Sequence, residues 1–170
     1  MIALAQMAEN VLRTADGREK TALSHKYATE WRAARAAGET PEIGTSNPPL
    51  RPARPDQPEL LSPRDVPHRK PGSPEGRIAL LHAVAHIELN AVDLHWDIIA
   101  RFTDVKMPMG FYDDWVSAAD DESKHFNLKD IEELRYKEAI KNAPRYADEY
   151  WNSQGTTGSY ANTVERSYDP

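Results

Sequence analysis

This sequence predicts an all-α protein centred on one long antiparallel helical hairpin, and three observations carry that reading. Residues 77–102, RIALLHAVAHIELNAVDLHWDIIARF, hold no glycine or proline and repeat apolar side chains at steps of three and four, the period of a buried α-helix. A turn at 103–110, TDVKMPMG, carries both proline and glycine and is followed at 111–142 by a second uninterrupted helical pattern. Residues 3–37 also read as helix, with a break at the Asp16-Gly17 turn signal and a stop at Gly38.

Taken in order, the N-terminal helical region covers 1–40. Its spacing of Ala22, Lys26, Thr29, Trp31 and Ala33 is only loosely amphipathic, which predicts peripheral helices. A Pro-rich strap follows at 41–76, because ten of the 13 prolines fall between Pro41 and Pro74. Losing a backbone donor at every third or fourth position forbids a helix and favours extended, polyproline-like chain. Leu50, Leu60, Leu61 and Val66 supply the apolar anchors of a strap laid across a folded body; a Pro-rich ligand for a partner is the alternative.

The hairpin covers 77–143. On its first helix one seam reads Ile78, Leu81, Ala85, Glu88, Val92, His95, Ile99, Phe102, and a neighbouring seam reads Leu80, Val84, Ile87, Ala91, Leu94, Ile98. Together they span more than half the circumference, so this helix is expected to be largely buried. Tyr112, Trp115 and Trp96 are expected to fill the hairpin core, and Asp113, Asp114, Asp120 and Asp121 to cap and solvate the start of the second helix. Beyond Pro144 the segment 144–170 predicts one short helical turn and then a polar tail without fixed structure.

Composition excludes several classes of function. With no cysteine among 170 residues, disulfides, thiolate zinc, iron–sulfur clusters and cysteine nucleophiles are all ruled out, and any metal must be held by His, Asp or Glu. The net charge of −6 offers no global field for nucleic acid. No run approaches the roughly 20 apolar residues of a membrane-spanning helix. The opening MIALAQMA lacks a basic segment, so no secretory signal is expected and the cytoplasm is the expected location. No Gly-rich phosphate loop and no nucleophile-elbow pattern is present. The mean hydropathy of −0.72 reflects the strap and the tail, since 77–102 is strongly apolar.

The chemistry concentrates on the hairpin. Glu88 stands in an apolar seam, where an unpaired carboxylate costs several kcal/mol unless it is neutralised, paired or bound to a cation. The second helix carries Glu122-Ser-Lys-His125, a Glu-x-x-His spacing that puts carboxylate and imidazole on one face about 4.5 Å apart along the axis. The midpoint between Glu88 and His125 falls between Lys106 and Met107, inside the turn, so the two should face one another at equal height. A Glu on one helix with a Glu-x-x-His on its neighbour is half of a carboxylate-bridged di-iron or di-manganese site. The competing explanation is a structural ion-pair network through Lys124 or Arg101. His82 and His86 with Asp93, and His95 as an additional ligand or as a hydrogen-bonded core histidine, are lesser candidates.

The segments GRIALLHAVAHIELNAVDLHWDIIARF and MPMGFYDDWVSAADDESKHFNL resemble the ferritin-like family of unknown function that is distantly related to the di-iron tRNA hydroxylases. The strap PARPDQPELLSPRDVPHR resembles the segment that precedes the first bundle helix in that family. This resemblance implies a four-helix bundle, with Glu88, Glu122 and His125 as metal ligands for iron or manganese and an oxidoreductase activity on an unknown substrate. It leaves tRNA open as a partner. A complete member continues through two more long helices with a second Glu and a second Glu-x-x-His, and nothing after Leu128 supplies them. The chain therefore reads as the N-terminal half of the fold, truncated or divergent at its C-terminus. Two such hairpins could pair as a homodimer to complete the site. The alternative is a non-enzymatic helical interaction protein or an inactive member.

Overall fold

The computed structural model of the chain describes residues 2–55 and 73–154, with side chains on the last helix described as far as 129 and at 131, 134 and 135. Among the described residues the structure is all-helical: α1 (Leu4–Arg13), α2 (Gly17–Ala36), α3 (Pro74–Arg101) and α4 (Met109–Gln154). None of these helices is long and apolar enough to cross a membrane. The chain divides into two compact units, one made of Met1–Leu60 with Ala85–Asn127, the other of Leu61–Val84 with Leu128–Pro170.

The first unit has a core drawn from all four helices. In α1, Leu4, Met7, Ala8, Val11 and Leu12 recur at i, i+3, i+4, i+7 and i+8 and are all buried. Tyr27, Ala28 and Trp31 of α2, Val92, Trp96, Ile99 and Ala100 of α3, and Tyr112, Val116 and Ala119 of α4 complete the cluster. Burying each of the larger side chains contributes about 1.5–3 kcal/mol. The N-terminal helices are therefore central, not peripheral: the loose pattern of α2 hides a helix that packs through polar groups, and the tight apolar pattern of α1 is the stronger signal.

Local chemistry sets the breaks. Asp16 caps α2, its carboxylate accepting from the backbone N–H of Arg18 at 2.9 Å and of Glu19 at 3.0 Å. Gly38 ends the helix with φ +79°, a left-handed turn that glycine adopts without strain. α1 has no side-chain cap, and the chain at 42–43 satisfies its first donors instead, Leu4 N–H to the Glu42 carbonyl (3.0 Å) and Ala5 N–H to that of Ile43 (2.8 Å). Gly17, at the first turn of α2, lies so close to α4 that an added Cβ would stand 2.9 Å from Phe126 Cζ.

The strap at 41–55 forms no helix and lies against this unit. Ile43 packs on the core, Ala53 N–H donates to the Leu12 carbonyl at 2.7 Å, and Ser46 Oγ donates to the Ala100 carbonyl at 3.1 Å. Leu50 plays no anchoring part, being 89% exposed; backbone pairing and Ile43 hold the segment. Leu60, Leu61 and Val66 lie outside the described residues.

Within this unit α3 and α4 run antiparallel, since Glu88 meets His125 while His95 meets Trp115, residue numbers falling on one helix as they rise on the other. Trp96 and Tyr112 are buried in the core as the sequence predicts, with Trp115 packed at its edge. The neighbouring apolar seam of α3 is covered only in part: Ala91 and Ile98 are half-buried, while Ile87 is 63% exposed and Leu94 56%.

In the second unit, α3 starts at Pro74, three residues ahead of the helix expected from the sequence. Ser73 caps it, its Oγ accepting from Gly76 N–H at 3.0 Å, with proline in the first helical position, where a missing N–H does no harm. α4 continues through Pro144 to Gln154, so the helix does not stop at the proline as predicted. The one short helical turn expected after Pro144 is a continuation of α4 to Gln154, and 155–170 lies outside the described residues. Leu80, Leu128, Ile131 and Leu134 are exposed.

Candidate metal centre

Two faces of the α3–α4 pair carry ionisable side chains, and they are built differently. On the face toward α2 each group meets a partner in another element. Asp113 accepts from Trp31 Nε1 (2.8 Å) and from the Arg35 guanidinium at Nε (3.0 Å) and Nη2 (3.1 Å). The Arg35 hydrogen bond holds this carboxyl below its ordinary value. Asp120, fully buried, meets His25 Nδ1 (2.6 Å), Arg32 Nη2 (2.7 Å) and Lys124 Nζ (3.0 Å). Burial pushes its carboxyl up, and the hydrogen bonds from His25, Lys124 and Arg32 outweigh that and leave it lowered. These acids thus do not merely solvate the start of α4. They clamp α2 to it, alongside a buried chain in which Trp96 Nε1 donates to Ser24 Oγ at 2.8 Å and the Ser24 and Ser123 hydroxyls share a hydrogen bond at 2.8 Å.

Asp93 belongs to the same design. Lys20 Nζ, fully buried, donates to Asp93 Oδ1 at 2.6 Å and to the Ala53 carbonyl at 2.9 Å, and Arg54 Nη2 reaches Asp93 Oδ2 at 2.5 Å. Arg54 also bonds Asn90, which is 3.2 Å from His86 Nδ1. Burial raises the Asp93 carboxyl and lowers the Lys20 amine, while each one's charge pulls the other back toward ionisation. Asp93 is thereby committed to cations of the chain, and the grouping of His82, His86 and Asp93 around a metal is not formed.

The opposite face holds the residues singled out by spacing. Glu88 of α3 and Glu122 and His125 of α4 each offer a ligand atom, and the three atoms all lie within 4.8 Å of one another. His125 Nδ1 is 3.2 Å from Glu122 Oε2 and 4.0 Å from Glu88 Oε2. The side chains are 21% (Glu88), 26% (Glu122) and 54% (His125) exposed, so one side is packed and the other open. Desolvation raises the Glu122 carboxyl, but hydrogen bonds with Glu88 and His125 more than offset it and leave it below its ordinary value. The ion-pair explanation does not apply as expected: Lys124 bonds Asp120 and Asp121, and Arg101 bonds Asp97.

The donor set fits a first-row divalent cation. Three ligand atoms on one ion, each about 2.1 Å from it, lie about 3.0–3.6 Å apart. The observed group, within 4.8 Å, therefore closes on one ion by side-chain movements of about an ångström. Carboxylate oxygen with imidazole suits iron, manganese or zinc, and no thiolate is available to bias the choice. His95 stands beside this group. Its ring lies 5.2 Å from that of Trp115, its Nδ1 is buried without a hydrogen bond, burial lowers its pKa, and the Glu122 charge pulls the other way. It is thus not the hydrogen-bonded core histidine that its position on the seam suggests.

Fold and site together define an all-helical protein that gathers two carboxylates and an imidazole at one face of a helix pair. The chain belongs to a family described as protein of unknown function (DUF455), whose model matches residues 13–136. It is similar to an uncharacterized protein of Haemophilus influenzae (strain ATCC 51907 / DSM 11121 / KW20 / Rd), with 42% identity over 81 residues, 45% of this chain and 28% of that relative. The chain thus spans less than a third of the length of the relative it matches. No solved structure matches it.

Proposed function

We propose that the chain carries half of a ferritin-like, carboxylate-bridged metal centre, with Glu88, Glu122 and His125 as ligands to iron or manganese. The observation that supports it most is the convergence of these three donors, from two helices, to within 4.8 Å. Like-charged carboxylates gathered this closely in a partly desolvated site need a cation or a shared proton to coexist. A metal of this kind supplies dioxygen and redox chemistry when bound, which makes an oxidoreductase the corresponding class of enzyme. The chain's own part is to hold the donors in register, since Trp115 and Trp96 pack α3 against α4, and to keep one side open for exchange. His95, two turns from Glu88 on the same seam of α3, is a further candidate donor.

The experiment is metal analysis of the purified chain. Wild type should retain iron or manganese in stoichiometric amount after desalting, and Glu122→Ala should lose it. A chain that stays metal-free when offered ferrous iron or manganous ion would sink the proposal. The second reading, a helical interaction protein without enzymatic activity, draws its support from the exposed Ile87 and Leu94; a metal-free chain would favour it.

A further inference from the structure

We propose that the groove between the strap and α3 binds a small organic phosphate, with Arg51 and Arg54 holding the phosphate group and Leu50 and Leu94 its apolar body. This site shares no residue with the Glu88–Glu122–His125 group and goes beyond the metal reading.

The groove has a volume of about 630 Å³, within the range of small-molecule sites. It lies wholly in the first unit, with Leu50, Arg51 and Arg54 lining it from the strap and Asp93, Leu94 and Arg101 from α3. The strap wall is pinned at both ends. The Pro49 carbonyl accepts from Arg101 Nη2 at 2.8 Å. Ala53 is held through both backbone groups, its N–H on the Leu12 carbonyl at 2.7 Å and its carbonyl on Lys20 Nζ at 2.9 Å. Pro49 and Pro52 restrict the backbone in the short span between these pins. The wall is thus set before any ligand arrives, which lowers the ordering cost of binding.

Charge says what the groove takes. Arg51, Arg54, Arg101 and, behind Asp93, Lys20 bring four positive charges against the two carboxylates Asp93 and Asp97, a surplus of two in a chain of net charge −6. Both acids are already engaged: Asp97 takes Arg101 Nε at 2.8 and 2.7 Å, and Asp93 takes Lys20 and Arg54. Arg51 is exposed and has no ion pair among the described residues. Arg54 has donor capacity left over, since Nη2 serves Asn90 and Asp93 while Nη1 is buried without a hydrogen-bond partner. An unmatched guanidinium N–H is costly, and an oxyanion brought to it by a small turn of the side chain removes that cost. Two forked guanidinium groups and two surplus charges match the dianion of a phosphate monoester. Leu50 and Leu94, 89% and 56% exposed, add apolar surface to the same groove and select an ester with a non-polar body over free phosphate.

The test is calorimetric titration of the full chain with phenyl phosphate at about pH 7.5, where the second phosphate proton is off. Chelator is present throughout, so that no metal at the other face captures the probe, and inorganic phosphate and benzoate serve as references. Phenyl phosphate should saturate one site per chain and bind more tightly than either reference. Arg51→Ala, at an exposed position, should keep the wild-type helical circular dichroism and bind phenyl phosphate about tenfold more weakly. Arg54→Lys, which keeps a positive charge beside Asp93, should weaken binding by a similar factor because the fork is lost. Leu94→Ser should weaken phenyl phosphate and leave inorganic phosphate unchanged. Phenyl phosphate that fails to bind, or binds equally well to Arg51→Ala and Arg54→Lys, would overturn the site. Benzoate bound as tightly as phenyl phosphate would overturn the choice of phosphate, and inorganic phosphate bound as tightly would overturn the role of the leucines.

Discussion

The two sides of α3 and α4 in the first unit use the same residue types to opposite ends. Toward α2, the carboxylates of Asp93, Asp113 and Asp120 each meet a lysine, arginine, histidine or indole N–H contributed by another segment. Away from α2, Glu88, Glu122 and His125 gather within 4.8 Å, while Lys124 and Arg101 pair with other carboxylates. Chain-supplied cations make the first face a structural seam. On the second, two carboxylates share an imidazole that is more than half exposed. An acidic residue on a helix is thus interpretable only once the charge of its partner is known.

That contrast breaks most sharply at Asp93. Asp93→Ala should cost about 3–5 kcal/mol, because it leaves the buried Lys20 ammonium with only the Ala53 carbonyl. Urea unfolding measures it, and Lys20→Met should cost less, since Arg54 remains on Asp93. Glu122→Ala should do the reverse: metal binding is lost while the stability of the metal-free chain changes by no more than about 0.5 kcal/mol, because the His125 partner it loses is more than half exposed. A loss of several kcal/mol there would mean that the open face is structural too.

The comparison sharpens further with pH. Asp113 and Asp120 are depressed below the ordinary value of 3.8, so on acidification the unfolded chain takes up their protons first. Their stabilisation is intact above that value and is lost as pH falls from it through the folded-state pKa. Asp93, raised by burial, works in the opposite sense. Urea midpoints from pH 5 to pH 3 should therefore fall, and fall less steeply in Asp113→Asn, whose cost at neutral pH is about 1 kcal/mol because the Arg35 pair is partly exposed. An unaltered acid slope in that variant would assign the acid sensitivity elsewhere.

Much of this was readable from single residues. The Asp16-Gly17 break and the Gly38 stop depend on local chemistry and stand where the sequence puts them. Counting outward from the turn brought Glu88 level with His125, because two antiparallel helices share one rise per residue. Ser73-Pro74 was an available helix-start signal hidden in a run of prolines. Non-local pairing was beyond reach: Trp31 and Asp113 are 82 residues apart, His25 and Asp120 are 95 apart, and nothing in either neighbourhood names the other. The seam of Ile87 and Leu94 shows the limit from the other side, since periodicity identifies an apolar face without saying whether this chain covers it.

The close approach at Gly17 has a consequence for the order of synthesis. Gly17 rests on Phe126, the residue next to His125, and Thr21 of the same helix bonds Asn127 Oδ1 at 3.1 Å, so α2 sets the height at which that part of α4 comes to rest. A ribosome adding about 5–20 residues per second completes α2 several seconds before it reaches Glu122, while a helix forms in about a microsecond. The helix without a single candidate ligand is therefore complete in sequence when the ligand-bearing helix emerges, and its Gly17 and Thr21 fix where Phe126 and Asn127 come to rest.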